Sequence, residues 1–353
     1  MNHGTPTNGT LCFRADADAR MGIGHVMRCI ALAQAWQDRG GEVCFISAMD
    51  TPSLMERLKQ GNMMLTTITA APASDQDLCE TIAAARIHNA KWLVLDGYHF
   101  SQDYMLGIQR TGLHLLLLDD VADRDLSGIE AVLNQNAYAT VAMHQHFVPC
   151  PHLLLGAAYT LLRREFLQHR VEKEIRRDAT RILVTLGGAD VPNATYRVMK
   201  SLQQINHTRL EVRLIVGAAN QHLAALQEEL PLLSDHHSVE ILINPPDIPS
   251  LMTWSDVTIT AAGSSCWELC CLGVPQFMLV TADNQRMMPP YFIEHGIADV
   301  FGEISDSRIT ELAQRLSALL LDFDKRAHLS QAARRVIDGT GAARVVDFML
   351  QQL

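Results

Sequence analysis

The chain has 353 residues, 48% of them hydrophobic and 19% charged, with a formal net charge of −10. That length exceeds one typical domain and fits two of roughly 150 to 180 residues, whose cores need no metal or disulfide to hold them. The negative balance excludes a general nucleic-acid binder, whose affinity comes from basic side chains on phosphates. It leaves room for an anionic ligand held by backbone N–H groups at a helix start. Residues 1–10 lack the basic-then-apolar pattern of a signal peptide. No apolar run approaches the roughly 20 residues that span a bilayer, so membrane insertion is not expected. Eight cysteines without a secretion signal predict reduced thiols and a cytoplasmic location.

Short apolar runs alternate with amphipathic stretches of about 10 to 15 residues, which is the βαβ pattern. Strands are predicted at 11–15, 42–47, 64–68, 92–96, 115–119 and 131–133. Near-continuous apolar runs such as 92–95 indicate a sheet covered on both faces. The first helix begins near His25, with Val26, Ile30 and Ala33 at core-facing spacing, and ends at Arg39-Gly40-Gly41. A charged segment near 162–180 reads as a linker. A second series of strands follows at 182–186, 210–216, 239–243, 257–260 and 276–280. From Ser307 onward the chain reads as helical, broken at 338–341 before a last helix that is expected to cross back onto the first domain. The predicted domains are therefore 11–162 and 180–325, with C-terminal helices at 326–353.

Four features can carry chemistry, and all lie at predicted carboxyl ends of strands, where open α/β sheets bind ligands. After the first strand come Gly22 and Gly24, which let backbone approach a ligand, and His25 at the helix start. His25 can serve there as a general base or simply cap the helix. After the strand at 257–260, Gly263, Ser264 and Ser265 offer N–H groups and hydroxyls to a diphosphate, and Glu268 stands one turn on, where it can accept ribose hydroxyls. The same residues could instead form a capping box between Ser265 and Glu268. Gly187, Gly188 and Asp190 follow the first strand of the second domain. Asn284 and Gln285 end another strand and could orient a water or a sugar hydroxyl, or make a turn.

Two other clusters are read as structural. His144, His146, Cys150 and His152 form a Pro-containing loop without a carboxylate pattern that would support zinc, so no metal is expected. Cys266, Cys270 and Cys271 lie at helical spacing and are read as core. Met27 replaces the third glycine of a G-x-G-x-x-G signature, which leaves no support for a nicotinamide or flavin cofactor.

Residues 14–28 resemble the N-terminal motif of the UDP-sugar hydrolases of pseudaminic-acid biosynthesis and the related spore-coat polysaccharide proteins. The resemblance continues in order through Asp96-Gly97-Tyr98, Leu118-Asp119-Asp120, the Gly187–Asp190 turn, the Ala262–Glu268 stretch and Asn284-Gln285, and so covers roughly residues 11–300. It implies a glycosyltransferase-B fold of two Rossmann-like domains facing a cleft. It also implies metal-independent hydrolysis of a UDP-linked diacetamido-trideoxy sugar to UDP and the free sugar. By position, His25 matches the histidine that activates water, and Tyr98 and Asn284 match residues that assist it. Gly263, Ser264, Ser265 and Glu268 match the UDP-binding helix start and ribose ligand. Arg14, Gly22, Gly24, Gly187, Gly188, Asp190 and Gln285 complete the expected substrate contacts. The chain departs from the hydrolase pattern at Gly97, where Asp-His-Tyr is usual. The alternatives are a UDP-sugar-dependent glycosyltransferase of the same fold, with a hydroxyl acceptor in place of water, and a non-catalytic nucleotide-sugar binder.

Overall fold

A computed structural model describes residues 8–16, 24–48, 52–120, 122–123, 125–144, 147–149 and 151–353. The chain divides into two compact units, Met1–Arg164 with Gly339–Leu353, and Glu165–Asp338. Each is a parallel α/β sheet.

In the first unit β1 (Thr10–Ala15), α1 (Gly24–Asp38), β2 (Glu42–Ser47), α2 (Pro52–Gln60), β3 (Met64–Thr67), α3 (Asp75–Ile87), β4 (Trp92–Asp96), α4 (Gln102–Gln109), β5 (His114–Leu118), β6 (Ala131–Asn134) and β7 (His152–Leu155) follow in chain order. The strand order is β3-β2-β1-β4-β5-β6-β7. Side chains alternate between the two faces of this sheet. Leu11, Phe13, Trp92 and Val94 pack with Val26, Ile30 and Trp36 of α1, whereas Cys12, Leu93 and Leu95 pack with Ala84 and Ala85 of α3 and Met105 and Ile108 of α4. β7, which pairs with β6, was not foreseen.

α5 (Arg164–Gln168) leads into the second unit, built from β8 (Arg181–Thr185), α6 (Ala194–Leu202), β9 (Glu211–Val216), α7 (Leu223–Ser234), β10 (Ser238–Ile243), α8 (Ile248–Trp254), β11 (Val257–Ala261), α9 (Ser265–Leu272), β12 (Gln276–Val280), α10 (Met288–Glu294), β13 (Asp299–Glu303), α11 (Ile309–Leu321) and α12 (Phe323–Val336). Its strand order is β10-β9-β8-β11-β12-β13. One face of the sheet carries Ile182, Val184, Val257 and Ile259 against α6 and α11, and the other carries Leu183 against Leu269 and Leu272 of α9.

The C-terminal helices part company. Leu329 and Ala333 of α12 are buried in the second unit. α13 (Gly341–Gln351) instead returns to the first, where Ala342, Val345, Val346 and Met349 join the α1 core. A side-chain carbon at Gly341 would collide with the Thr160 backbone, so glycine lets α13 seat there. Among the described residues no helix is long and apolar enough to cross a membrane.

Candidate active site

Both sheets reverse their winding at one place. In the first unit strands are added outward from β1 through β2 to β3, and outward from β4 through β5 to β7, so the switch lies between β1 and β4. In the second it lies between β8 and β11. Loops leaving the carboxyl ends of such a strand pair diverge and open a crevice for ligands.

His25, on the first turn of α1, stands over the first switch point. The pleat sends Asp96, last residue of β4, to the same face as Trp92 and Val94, the face that α1 covers. There Asp96 Oδ1 lies 2.7 Å from His25 Nδ1, and Arg28, one turn along α1, donates from Nε to Oδ2 and from Nη2 to Oδ1, each at 2.7 Å. Burial alone would push the Asp96 carboxyl up. The charge and hydrogen bonds of Arg28, then those of His25, outweigh burial and hold it well below the ordinary carboxylate range. An ionised carboxylate only accepts, so His25 Nδ1 must carry the proton. Arg28 Nη2 also lies 3.2 Å from Nδ1, but a nitrogen that donates to Asp96 cannot accept from Arg28, and the shorter contact with the carboxylate decides the tautomer. In the neutral ring that places the lone pair on Nε2, and the side chain is 14% exposed.

Arg28 also joins a second carboxylate. Its Nη1 donates to both oxygens of Asp120, just beyond β5, at 2.8 and 3.0 Å. Asn136, beyond β6, donates to Asp120 Oδ1 at 2.7 Å, and Tyr98, beyond β4, donates its O–H to Oδ2 at 2.6 Å. The Tyr98 ring meets the His25 ring edge-on, with centroids 5.1 Å apart. His25 and Tyr98 are thus brought together through an ionic scaffold spanning α1 and the ends of β4, β5 and β6.

Arg14 is not part of this group. Its parity on β1 is that of Cys12, so it points to the face covered by α3 and α4. It is 0% exposed and bonds to Asp77 through Nε at 3.0 Å and Nη2 at 2.7 Å, with Asp16 2.6 Å from Nη1. Tyr104 and Thr81 complete the cluster on Asp77. The expected substrate contact from Arg14 is corrected to a buried structural ion pair. Gly22 lies outside the described residues, and Gly24 begins α1.

Over the second switch point Gly187, with φ +93°, and Gly188 are exposed and open on the side where a Cβ would stand. A side chain at Gly217, beyond β9, would collide with the Gly188 backbone, so that glycine, missed in sequence, shapes the loop. Asp190 is 5% exposed and accepts from Ala194 N at 2.8 Å and Thr195 N at 2.9 Å. Both its oxygens cap α6, so it builds the loop instead of offering a carboxylate to a ligand. Ser264 precedes α9 without a side-chain cap bond, and the Ser265–Glu268 capping box does not form. Among the described residues the N–H groups of Ser264 and Ser265 donate to nothing. Gly263 is open, and Glu268 stands half-buried in the first turn. Gln285 Oε1 accepts from Thr281 N at 2.9 Å and closes its own turn, while Asn284 beside it is exposed.

No family model matches the chain. It is 24% identical to the spore coat polysaccharide biosynthesis protein SpsG of Bacillus subtilis, over 67% of this chain and 68% of that protein. It is 27% identical to the UDP-2,4-diacetamido-2,4,6-trideoxy-β-L-altropyranose hydrolase of Campylobacter jejuni, over 71% of this chain and 84% of that protein. In three dimensions it matches MurG of Acinetobacter baumannii with a TM-score of 0.65 at 16% identity, over 98% of this chain and 100% of that one. The chain has the glycosyltransferase-B fold and is similar in sequence to SpsG and to this hydrolase.

The sequence had pointed to His25 and Tyr98 but not to the residues that hold them. Asp96 and Asp120 were visible as carboxylates closing apolar strands, and Arg28 as a cation one turn after His25. That they converge follows only from the strand order. Of the loop considered for metal binding, His146 and Cys150 lie outside the described residues, while His144 is buried with Nδ1 3.3 Å from the Thr140 carbonyl. Cys266, Cys270 and Cys271 are fully buried.

Proposed function

We propose that this protein hydrolyses a UDP-linked amino sugar at the anomeric C–O bond, releasing UDP and the free sugar. The observation that carries the reading is the His25–Asp96 pair at a topological switch point, which directs Nδ1 of His25 to the carboxylate and makes Nε2 the basic atom of the neutral ring. The named likeness to the C. jejuni hydrolase supports the same chemistry. Water attacks the anomeric carbon, His25 Nε2 takes its proton, and the bond to the diphosphate breaks. UDP is a good leaving group and asks for little acid assistance. The unpaired N–H groups of Ser264 and Ser265 at the start of α9, with the open Gly187–Gly188 turn, suit the diphosphate charge. Glu268 is assigned to the ribose hydroxyls and Asn284 to the reacting water or sugar. Attack opposite the leaving UDP predicts inversion, and no step calls for a metal.

Likeness to MurG along nearly the whole chain supports a second reading, transfer of the sugar to a hydroxyl acceptor. A coupled UDP-release assay separates the two. It uses the diacetamido-altrose nucleotide and UDP-N-acetylglucosamine, with and without EDTA and with no acceptor added. Release from the first nucleotide, unaffected by EDTA, is expected. Tight UDP binding without release would favour transfer. His25→Asn should lower turnover about 10²–10⁴-fold at unchanged UDP affinity, and near-normal turnover in that variant would sink the mechanism.

A further inference from the structure

Asp120 receives hydrogen bonds at both oxygens, from Arg28 and Asn136 on Oδ1 and from Arg28 and Tyr98 on Oδ2. Its carboxyl is partly buried, and the charge and hydrogen bonds of Arg28 outweigh the desolvation and hold it below the ordinary range, so it stays ionised and only accepts. A phenol has one proton to give. Directed at Asp120, that proton leaves the Tyr98 oxygen with lone pairs alone for anything that approaches, and the Tyr98 side of the cluster is the open one, since this residue is 53% exposed.

We propose that Asp120, held by Arg28 and Asn136, is a positioning residue that commits the Tyr98 proton to itself, so that Tyr98 meets the substrate or the attacking water as a hydrogen-bond acceptor only. The catalytic consequence rests on the hydrolytic reading above. The attacking water has two protons. One passes to His25 Nε2. The other stays on the water oxygen and ends in the hydroxyl of the free sugar, and Tyr98 accepts its hydrogen bond meanwhile. Together the two contacts turn a water lone pair toward the anomeric carbon. Tyr98 is then neither acid nor base in the reaction.

The groups facing Tyr98 are Asp120 beyond β5, His25 and Arg28 on α1, and Asp96 on β4. Burial, then the Asp120 charge, push the Tyr98 hydroxyl well above the ordinary tyrosine range.

The test is the ionisation of Tyr98 followed by NMR of ring-¹³C tyrosine, with Tyr98→Phe used to assign the signal. In the wild type the signal should stay unmoved to about pH 11, where an ordinary tyrosine is mostly ionised. In Asp120→Asn it should titrate about one pH unit lower or more. An ordinary titration in the wild type overturns the proposal without calling on any Asp120 variant to fold. An unmoved signal in folded Asp120→Asn overturns it too. In the UDP-release assay each single variant should lose about tenfold or more in kcat, and the double variant no more than the worse single. Losses that multiply would show that Asp120 does not act through Tyr98. Should the wild type turn over no nucleotide sugar, the hydrolytic reading fails, and the titration still decides whether Asp120 sets the Tyr98 proton.

Discussion

Asp96 accepts from His25 and twice from Arg28 while fully buried, and its two tasks can be separated by measurement. As a carboxylate it fixes the His25 tautomer. Asp96→Asn keeps the shape but presents an amide that can donate to Nδ1, placing the ring proton on Nε2 where the base should act. Turnover should fall about 10²–10⁴-fold, with UDP affinity by calorimetry unchanged. A parallel loss of UDP binding would assign Asp96 to the fold instead. Asp77, Asp96 and Asp120 also make stability depend on pH. In all three, burial is outweighed by a paired arginine, and the folded carboxyl lies below its ordinary value. A depressed folded value means that their contribution is complete above the unfolded value of about 3.9 and is lost as pH falls through the folded values. The urea midpoint should therefore hold between about pH 7 and pH 5 and fall below about pH 4. In Asp77→Asn that acid limb should be shallower, with a lower midpoint at pH 7.

At the scale of the element, the pleat of β1 and β4 decides which residues share a site. Ala15 and Asp96 are register partners, and Asp96 turns toward α1. Arg14, one residue earlier on β1, turns the other way and is stacked 5.3 Å from the Phe100 ring centroid. It belongs to the buried ion cluster and has no access to ligand. Arg14→Ala should cost about 3–5 kcal/mol of stability, because Asp16 and Asp77 are left buried without their cation. Urea unfolding measures this. A loss of UDP affinity in a fully stable variant would return Arg14 to the binding site. Gly97 shows how closely the loop after β4 is filled. A Cβ there would lie 2.8 Å from His99 Cε1 and 2.9 Å from Phe100 Cε2, so a larger residue would need His99 to move.

For the whole molecule, the two units differ in continuity. Glu165–Asp338 is a single stretch with its own core, whereas the first unit is closed by α13 from the far end of the chain. Burial of Val345, Val346, Met349 and Ala342 is worth on the order of 5–10 kcal/mol, which is as large as the net stability of a typical domain. A fragment of residues 165–338 should fold alone, with a cooperative urea transition. Residues 1–164 should not, unless a peptide of residues 339–353 is supplied. A cooperative transition in residues 1–164 alone would show that α13 is dispensable.

Much of this was present in the residues taken singly. Apolar runs of strand length separated by helical periods specify parallel α/β layers, because such runs can be buried only on both faces at once. Glycines and serines after strands mark backbone able to approach a ligand, and His25 was legible in the same way, whereas Tyr98 entered only through the family resemblance. The identity of their partners was not. Asp96, Arg28, Asp120 and Asn136 come from four separate segments of the chain, and only the strand order, which no local pattern encodes, brings them onto one proton network. The same limit misplaced Arg14 and Asp190, whose charges read as ligand contacts until the pleat turned one inward and a helix start took the other. Local periodicity sets which surfaces must be buried; long-range pairing alone sets which polar groups end up face to face.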